Sequence, residues 1–259
     1  MNCSITHIGT ATLLLEIGSL RLLTDPVFDP AGGHYFFGYG TNSIKLTEPS
    51  IAVKDLGNID AILLSHDHHE DNLDRAGRTL LPLAKKVITT SAGAKRLKGN
   101  AIGLRAWQST TLEADAIKIK ITAAPAHHGT VGSHLVVGET TGFILEWAGQ
   151  KHGALYISGD TVWFNGLCEI GQRFKIGTAI LHIGGARFPI LGPLRFTLNA
   201  REAVHLVHAL EPRTVIPIHY EGWKHFQETG AAAAKIFEAS GIKDKILWLP
   251  LGKAIEMEI

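Results

Sequence analysis

Leu64-Ser65-His66-Asp67-His68-His69-Glu70-Asp71-Asn72-Leu73-Asp74 follows directly on the apolar run Ile59 to Leu64. That run is short and apolar, as a buried strand requires, so a strand delivers the polar cluster at its mouth. Residues two apart in extended chain face the same side, which lets His66 and His68 grip one cation together. Three imidazoles and four acids crowd the nine residues from His66 to Asp74. Crowded carboxylates repel and buried imidazoles need partners, so such a loop is costly unless it binds charge.

Upstream, Ser4 to Ile8, Ala11 to Ile17 and Leu20 to Thr24 are apolar runs separated by turn residues, a strand followed by a hairpin. A loop rich in Gly and aromatics spans Gly32 to Gly40. Downstream, Leu73, Ala76, Leu80, Leu83 and Ala84 fall near helical spacing and predict a helix over 72–85, with a strand at Val87 to Thr90. Ile117, Ile119 and Ile121 alternate with Lys118, Lys120 and Thr122, the period of a strand with one wet face. Further strands are expected at Gly142 to Trp147, Ala154 to Ile157, Thr178 to Leu181 and Val215 to Ile218. Helices are expected at Asn199 to Leu210, where Asn199 and Glu202 have capping-box spacing, and at Ala231 to Ala239. Many strands with interspersed helices, no low-complexity linker and no fixed-period repeat predict two sheets packed face to face with helices outside, a single domain over 1–259.

Composition narrows the function classes. At 259 residues, 45% hydrophobic and 19% charged, the chain can bury a large core. A net charge of +1 provides no global field toward nucleic acid or an anionic membrane. The apolar run after the N-terminus is short and closed by Gly18, so the reading is a cytoplasmic protein acting on a small molecule, with its oligomeric state open. Cys3 and Cys168 form no disulfide framework and have no chelating spacing. The 14 His are roughly twice an ordinary complement and favour a metal hypothesis.

Three further motifs follow strands: Ala124-Pro125-Ala126-His127-His128-Gly129, Tyr156-Ile157-Ser158-Gly159-Asp160-Thr161, and Ile216-Pro217-Ile218-His219-Tyr220. With the opening cluster, their order resembles the metallo-β-lactamase superfamily, whose first motif is His-x-His-x-Asp-His. Thr6-His7-Ile8-Gly9 and Leu23-Thr24-Asp25-Pro26 resemble the ascorbate-6-phosphate lactonase-like branch. The resemblance implies an α/β (α+β) four-layer αββα sandwich and one or two divalent ions, Zn or Mn. It implies a first metal on His66, His68 and His128, the Pro-Ala-x register selecting His128 over His127. It implies a second on Asp71, Asp160 and His219, with Asp160 shared.

The first motif departs from the family by an extra residue. Aligning Leu73-Asp74 places Asp71 at the family Asp and Asn72 at the final His, whereas counting forward from His66 places Glu70 and Asp71 there. Asp71 is favoured as the acid, and His69 and Asn72 are second-tier ligands. The implied reaction is hydrolysis of an ester, lactone, amide or phosphodiester bond of a small substrate by a metal-activated water, with Asp71 and Asp160 as the catalytic carboxylates. The alternative is a metal-binding protein of the same fold with little or no turnover. Asp25 and Asp67 are candidates to hold ligand imidazoles. Trp223 and His225 are candidates for the pocket wall, and Arg187 or Arg195 for contact with an anionic substrate. His205 and His208 read as surface residues, and His7, His34, His134 and His152 carry no motif.

Overall fold

Alternation along the strands decides which residues meet in which layer. In a computed structural model, which describes residues 2–129 and 138–259, strands β1 (Asn2–Gly9), β2 (Thr12–Ile17), β3 (Leu20–Thr24), β6 (Ala61–Leu63), β7 (Lys86–Thr90), β8 (Ala101–Leu104) and β15 (Ala254–Glu258) form one sheet. Its order is β15-β1-β2-β3-β6-β7-β8. The second sheet has the order β14-β13-β12-β11-β10-β9, from β9 (Ser109–Ala114), β10 (Ile117–Ala124), β11 (Gly142–Trp147), β12 (Ala154–Ile157), β13 (Ile176–His182) and β14 (Thr214–Ile218). A small hairpin, β4 (His34–Phe36) with β5 (Asn42–Ile44), lies within the Gly- and aromatic-rich loop.

Leu13, Leu15, Leu22 and Leu63 of the first sheet meet Ile121, Leu145, Leu155, Ile157 and Ile180 of the second in one buried cluster. Their sequence neighbours turn the other way. Ile144, Tyr156 and Leu181 pack under α3 (Cys168–Arg173), α4 (Ala200–Leu210) and α5 (Gly230–Ala239), while Leu14, Leu23, Ile62 and Leu64 pack against Leu73 and Leu80 of the α1 (Arg75–Leu80) region. The result is the four-layer αββα sandwich expected from the sequence. Fully burying each Leu or Ile here contributes about 1.5–3 kcal/mol before entropy, which makes the face assignment decisive. No helix among the described residues is long and apolar enough to cross a membrane.

Local expectations hold or shift for identifiable reasons. The capping box forms: Asn199 Oδ1 accepts from Glu202 N at 2.9 Å, and Glu202 Oε2 accepts from Asn199 N at 3.2 Å. The helix expected over 72–85 begins at Arg75, because Asp74 caps it by accepting from Gly77 N at 2.8 Å, and Asn72 is drawn into the polar cluster instead. Helix α2 (Ser91–Leu97), capped by Thr90, follows β7 without a signal that apolar periodicity registered.

The strand directions aim the polar residues. Strands β12, β13 and β14 are parallel, as are β3, β6 and β7, so their C-terminal ends share one edge of the sandwich. Asp25, Ser65, Asp160, His182 and His219 all stand at or just past those ends, where open α/β sheets place ligand sites.

Candidate metal centre

Past β6, bends at Asp67 and His68 break the extended alternation. His69 is thereby turned inward where His68 was expected. His66 Nε2 lies 3.3 Å and His128 Nε2 2.9 Å from His69 Nδ1, and the three ring nitrogens all fall within 4.8 Å of one another. His68 stands aside, its ring 6.3 Å from that of His66 and its Nδ1 3.7 Å from Asp67 Oδ1. Asp67 faces away too: Arg96 donates to its two oxygens at 2.9 and 2.6 Å, so it braces the loop rather than a ligand imidazole.

The ring tautomers follow from their outer partners. Ser65 Oγ donates to Asp25 Oδ1 at 2.9 Å and so accepts from His66 Nδ1 at 2.9 Å. A carbonyl can only accept, so His128 Nδ1 donates to Phe196 O at 3.0 Å. Both Nε2 atoms are therefore acceptors turned toward His69 Nδ1, an arrangement suited to a cation. Asp25 thus acts on His66 through the Ser65 hydroxyl, and burial raises its carboxyl to about 7 against the Ser65 hydrogen bonds. Replacing Ser65 by Ala is expected to weaken metal binding about 10- to 100-fold with the fold retained, as loss of an outer-shell partner does, and titration against a fluorescent chelator reads it.

A second group lies beside the first. Asp160, His182 and His219 offer ligand atoms within 4.8 Å of one another. His182 Nδ1 is 2.9 Å from Asp160 Oδ1, and His219 Nε2 is 3.6 Å from Asp71 Oδ2 and 3.7 Å from Asp160 Oδ1. Asp160 is presented by a tight turn at Gly159, whose φ of +60° and 2.4 Å approach of an added Cβ to Thr141 O exclude larger residues. His219 itself adopts φ 61°, a left-handed conformation held by its N–H bond to Thr10 O at 2.9 Å. Asp71 Oδ2 accepts from His225 Nε2 at 3.0 Å, and His225 Nδ1 meets Ser43 Oγ at 2.6 Å. Asn72 donates to Ser65 Oγ at 3.2 Å and so braces the hydroxyl behind His66.

The donors fit a divalent cation. Asp71 Oδ1, Asp160 Oδ2, His182 Nε2 and both ring nitrogens of His219 are buried and find no hydrogen-bond partner among the described residues. Each such atom costs about 1–3 kcal/mol, and carboxylates more, so the five together rival a whole domain's stability of about 5–15 kcal/mol. Burial and the nearby Asp71 push Asp160 well above the usual carboxylate range, while the Asn72 amide pulls the other way. Burial also pushes Asp71 up, but the hydrogen bond from His225 holds it well below that range. A cation would satisfy the carboxylate oxygens, His182 Nε2 and one ring nitrogen of His219.

Burial keeps the imidazoles neutral, with His69 and His182 lowered to about 4 and His128 to about 3, and with His66 and His219 lowered well below the ordinary value. Below about pH 6.5 the unfolded chain binds protons that these folded histidines refuse, so stability rises with pH in that window. Asp25 and Asp160 oppose this, because the folded state keeps their protons above the unfolded value. The five histidines outnumber these two acids, so acidification from pH 7 toward pH 5 brings a net loss of stability. The metal-stripped protein is therefore expected to show a lower urea midpoint at pH 5 than at pH 7.

Both groups open into one cleft of about 290 Å³, which His69, Asp71, His128, Asp160 and His225 floor. Trp223 supports it from behind, against Tyr35 at 5.0 Å and Phe37 at 5.6 Å between ring centroids. Arg187 lines a different groove, with His34 and Lys224, because its backbone N–H is pinned to His225 O and its side chain leaves on the far side. Arg195 pairs with Glu202. His127 is exposed and stacks on Phe164 at 3.8 Å. His7 is buried against Thr10 O, His34, His205 and His208 are exposed, and His134 lies outside the described residues. Residue spacing missed His182, although Leu181-His182 repeats the strand-end pattern of Ile218-His219 that did draw attention.

The model of the beta-lactamase superfamily domain matches residues 20–220. A metal-dependent hydrolase of Pyrococcus furiosus is 27% identical over 259 residues, covering 98% of this chain and 99% of that protein. One of Deinococcus radiodurans is 29% identical over 252 residues, covering 94% and 95%. Among solved structures, an isothiocyanate hydrolase from Delia radicum gut bacteria superposes with a TM-score of 0.81 at 23% identity, covering 98% of this chain and 99% of its own. A metallo hydrolase from the archaeon Ignicoccus hospitalis superposes at 0.73 with 20% identity over the full length of both. These two likenesses concern the fold.

Proposed function

We propose, on the premise that this chain belongs to the beta-lactamase superfamily domain family, that it is a metal-dependent hydrolase acting on an ester, lactone, amide or phosphodiester bond of a small substrate. The observation that carries this reading is that members of both donor groups floor a single small cleft. His66, His69 and His128 would hold one ion, an all-imidazole set suited to zinc. Asp71, Asp160, His182 and His219 would hold a second, whose carboxylates also suit manganese. Such ions supply Lewis acidity and bring the pKa of a water in their reach from about 15.7 to around 7.

The chain's own groups prepare the rest. Ser65 and the Phe196 carbonyl fix His66 and His128 as the tautomers with acceptor Nε2 atoms. His225 fixes Asp71 through Oδ2, leaving Asp71 Oδ1 as the acceptor for a proton from water and its donor to a leaving group. The resemblance to the ascorbate-6-phosphate lactonase-like branch brings lactones into the substrate set.

The test strips the protein with a chelator, reloads it with zinc or manganese, and assays a nitrophenyl ester, an aryl lactone, benzyl isothiocyanate and bis-nitrophenyl phosphate. Metal-dependent turnover of at least one is expected. Stoichiometric metal with turnover of none would overturn the hydrolase reading in favour of a metal-binding protein.

A further inference from the structure

We infer that the cleft selects a substrate with an aromatic or branched aliphatic arm, and disfavours phosphodiesters. The inference rests on the cleft being the substrate site proposed above, and it narrows the bond types left open there.

Two separate segments build the wall above the metal-ligating floor. Phe37 and Tyr39 come from the β4–β5 hairpin, and Phe188, Leu191, Leu194 and Phe196 from the loop between β13 and α4. The two meet: Phe37 and Phe188 have ring centroids 5.3 Å apart, and Phe188 stacks on His225 at 4.8 Å with planes 12° apart. The aromatic wall is thus in contact with the residue that holds Asp71. It continues outward to the surface, where Tyr39 is 64% and Ile190 69% exposed. An apolar track from reacting groups to solvent is what an aryl or alkyl arm would occupy.

Charge points the same way. Among the described residues lining the cleft there is no Lys or Arg, and the only formal charges are the carboxylates of Asp71 and Asp160. Sites for phosphate esters present guanidinium or ammonium groups, a helix N-terminus or metal ions to the non-bridging oxygens; here only the ions proposed above would do so, with no cation of the chain's own on the cleft wall to take the remaining oxygens. Of the nearby cations, Arg195 pairs with Glu202 and Arg187 lines the adjoining groove instead of the cleft.

Size sets the scale. A cavity of about 150 Å³ accepts benzene, so the 290 Å³ here holds one ring and a reacting group of similar bulk. It lies at the small end of ligand sites, which run from about 300 to 1,000 Å³.

Binding of amides to the metal-loaded protein, measured by titration calorimetry, tests this without relying on turnover. Phenylacetamide is expected to bind at least about tenfold more tightly than acetamide, the effect of burying one phenyl group. Phe37→Ala should erase most of that preference, and Phe37→Leu should retain it. The idea is overturned if the two amides bind within about twofold of each other in the unmodified protein, if thymidine 5′-nitrophenyl phosphate binds more tightly than phenylacetamide, or if a folded Phe37→Ala protein keeps the full preference. Tight phenylacetamide binding with no turnover in the hydrolysis assays would sink the hydrolase reading and leave the ligand class standing. Turnover confined to the phosphodiester would do the reverse.

Discussion

His69→Ala is expected to lose most bound metal and to lower kcat/KM by at least about 100-fold, whereas His68→Ala should keep its metal and stay within about fivefold of the unmodified protein. The first figure is a lower bound, since removing even an outer-shell partner costs 10- to 100-fold and His69 contributes one of three converging nitrogens. The second is the effect of losing a partly exposed contact worth about 0.2–1 kcal/mol, since the ion-pair contact of His68 among the described residues is with Asp67 at 3.7 Å. Elemental analysis beside kinetics checks both. The same reasoning separates His128, whose Nε2 faces His69, from the exposed His127, so replacement of His128 alone should remove metal. If His68→Ala strips the metal while His69→Ala keeps it, the bend at Asp67 and His68 has been misread and the extended spacing of His66 and His68 governs.

That contrast marks where the sequence was legible. Strand periodicity located β6, β10, β12 and β14 and so the strand ends at which polar residues gather, while the superfamily resemblance is what singled out His128, Asp160 and His219 there as ligands beside His66. Asp71 followed from the Leu73-Asp74 register, and Asp74 does anchor the turn by capping α1. The choice between His68 and His69 was hidden, because it depends on two bends set by Arg96 and Arg78 holding Asp67 from elements distant in sequence. His182 was hidden for a related reason. Followed by Ile183-Gly184-Gly185 it reads as the entry to a loop, and only the parallel pairing of His182 with Ile218 brings it beside His219. The aromatic wall was visible only as a composition bias in 32–40; its other half, Phe188 to Phe196, joins it across the fold through contacts that no periodicity encodes.

Asp160→Asn separates function from stability more sharply than any other single change. The substitution is isosteric, and the Asn oxygen can still accept from His182 Nδ1, so packing and that 2.9 Å bond survive. Activity should fall by at least about 100-fold, because the carboxylate shared by the second donor group is lost. Stability of the metal-free protein should move the other way. Burial and Asp71 hold the folded pKa of Asp160 above its unfolded value, so the folded state is penalised as pH rises from about 3.8 toward that folded pKa. Removing the carboxyl removes the penalty, a gain of roughly 0.5–2 kcal/mol at pH 7 of the kind released when a strained functional site is neutralised. The gain should fade as the pH approaches 4, where the unfolded chain also holds its proton. Urea unfolding of both metal-free proteins at pH 7 and pH 4.5 reads the sign directly. A purely structural Asp160 would give the opposite result, a less stable Asn variant at both pH values, because a hydrogen-bonded carboxylate that had been stabilising the fold would have been replaced by a weaker acceptor.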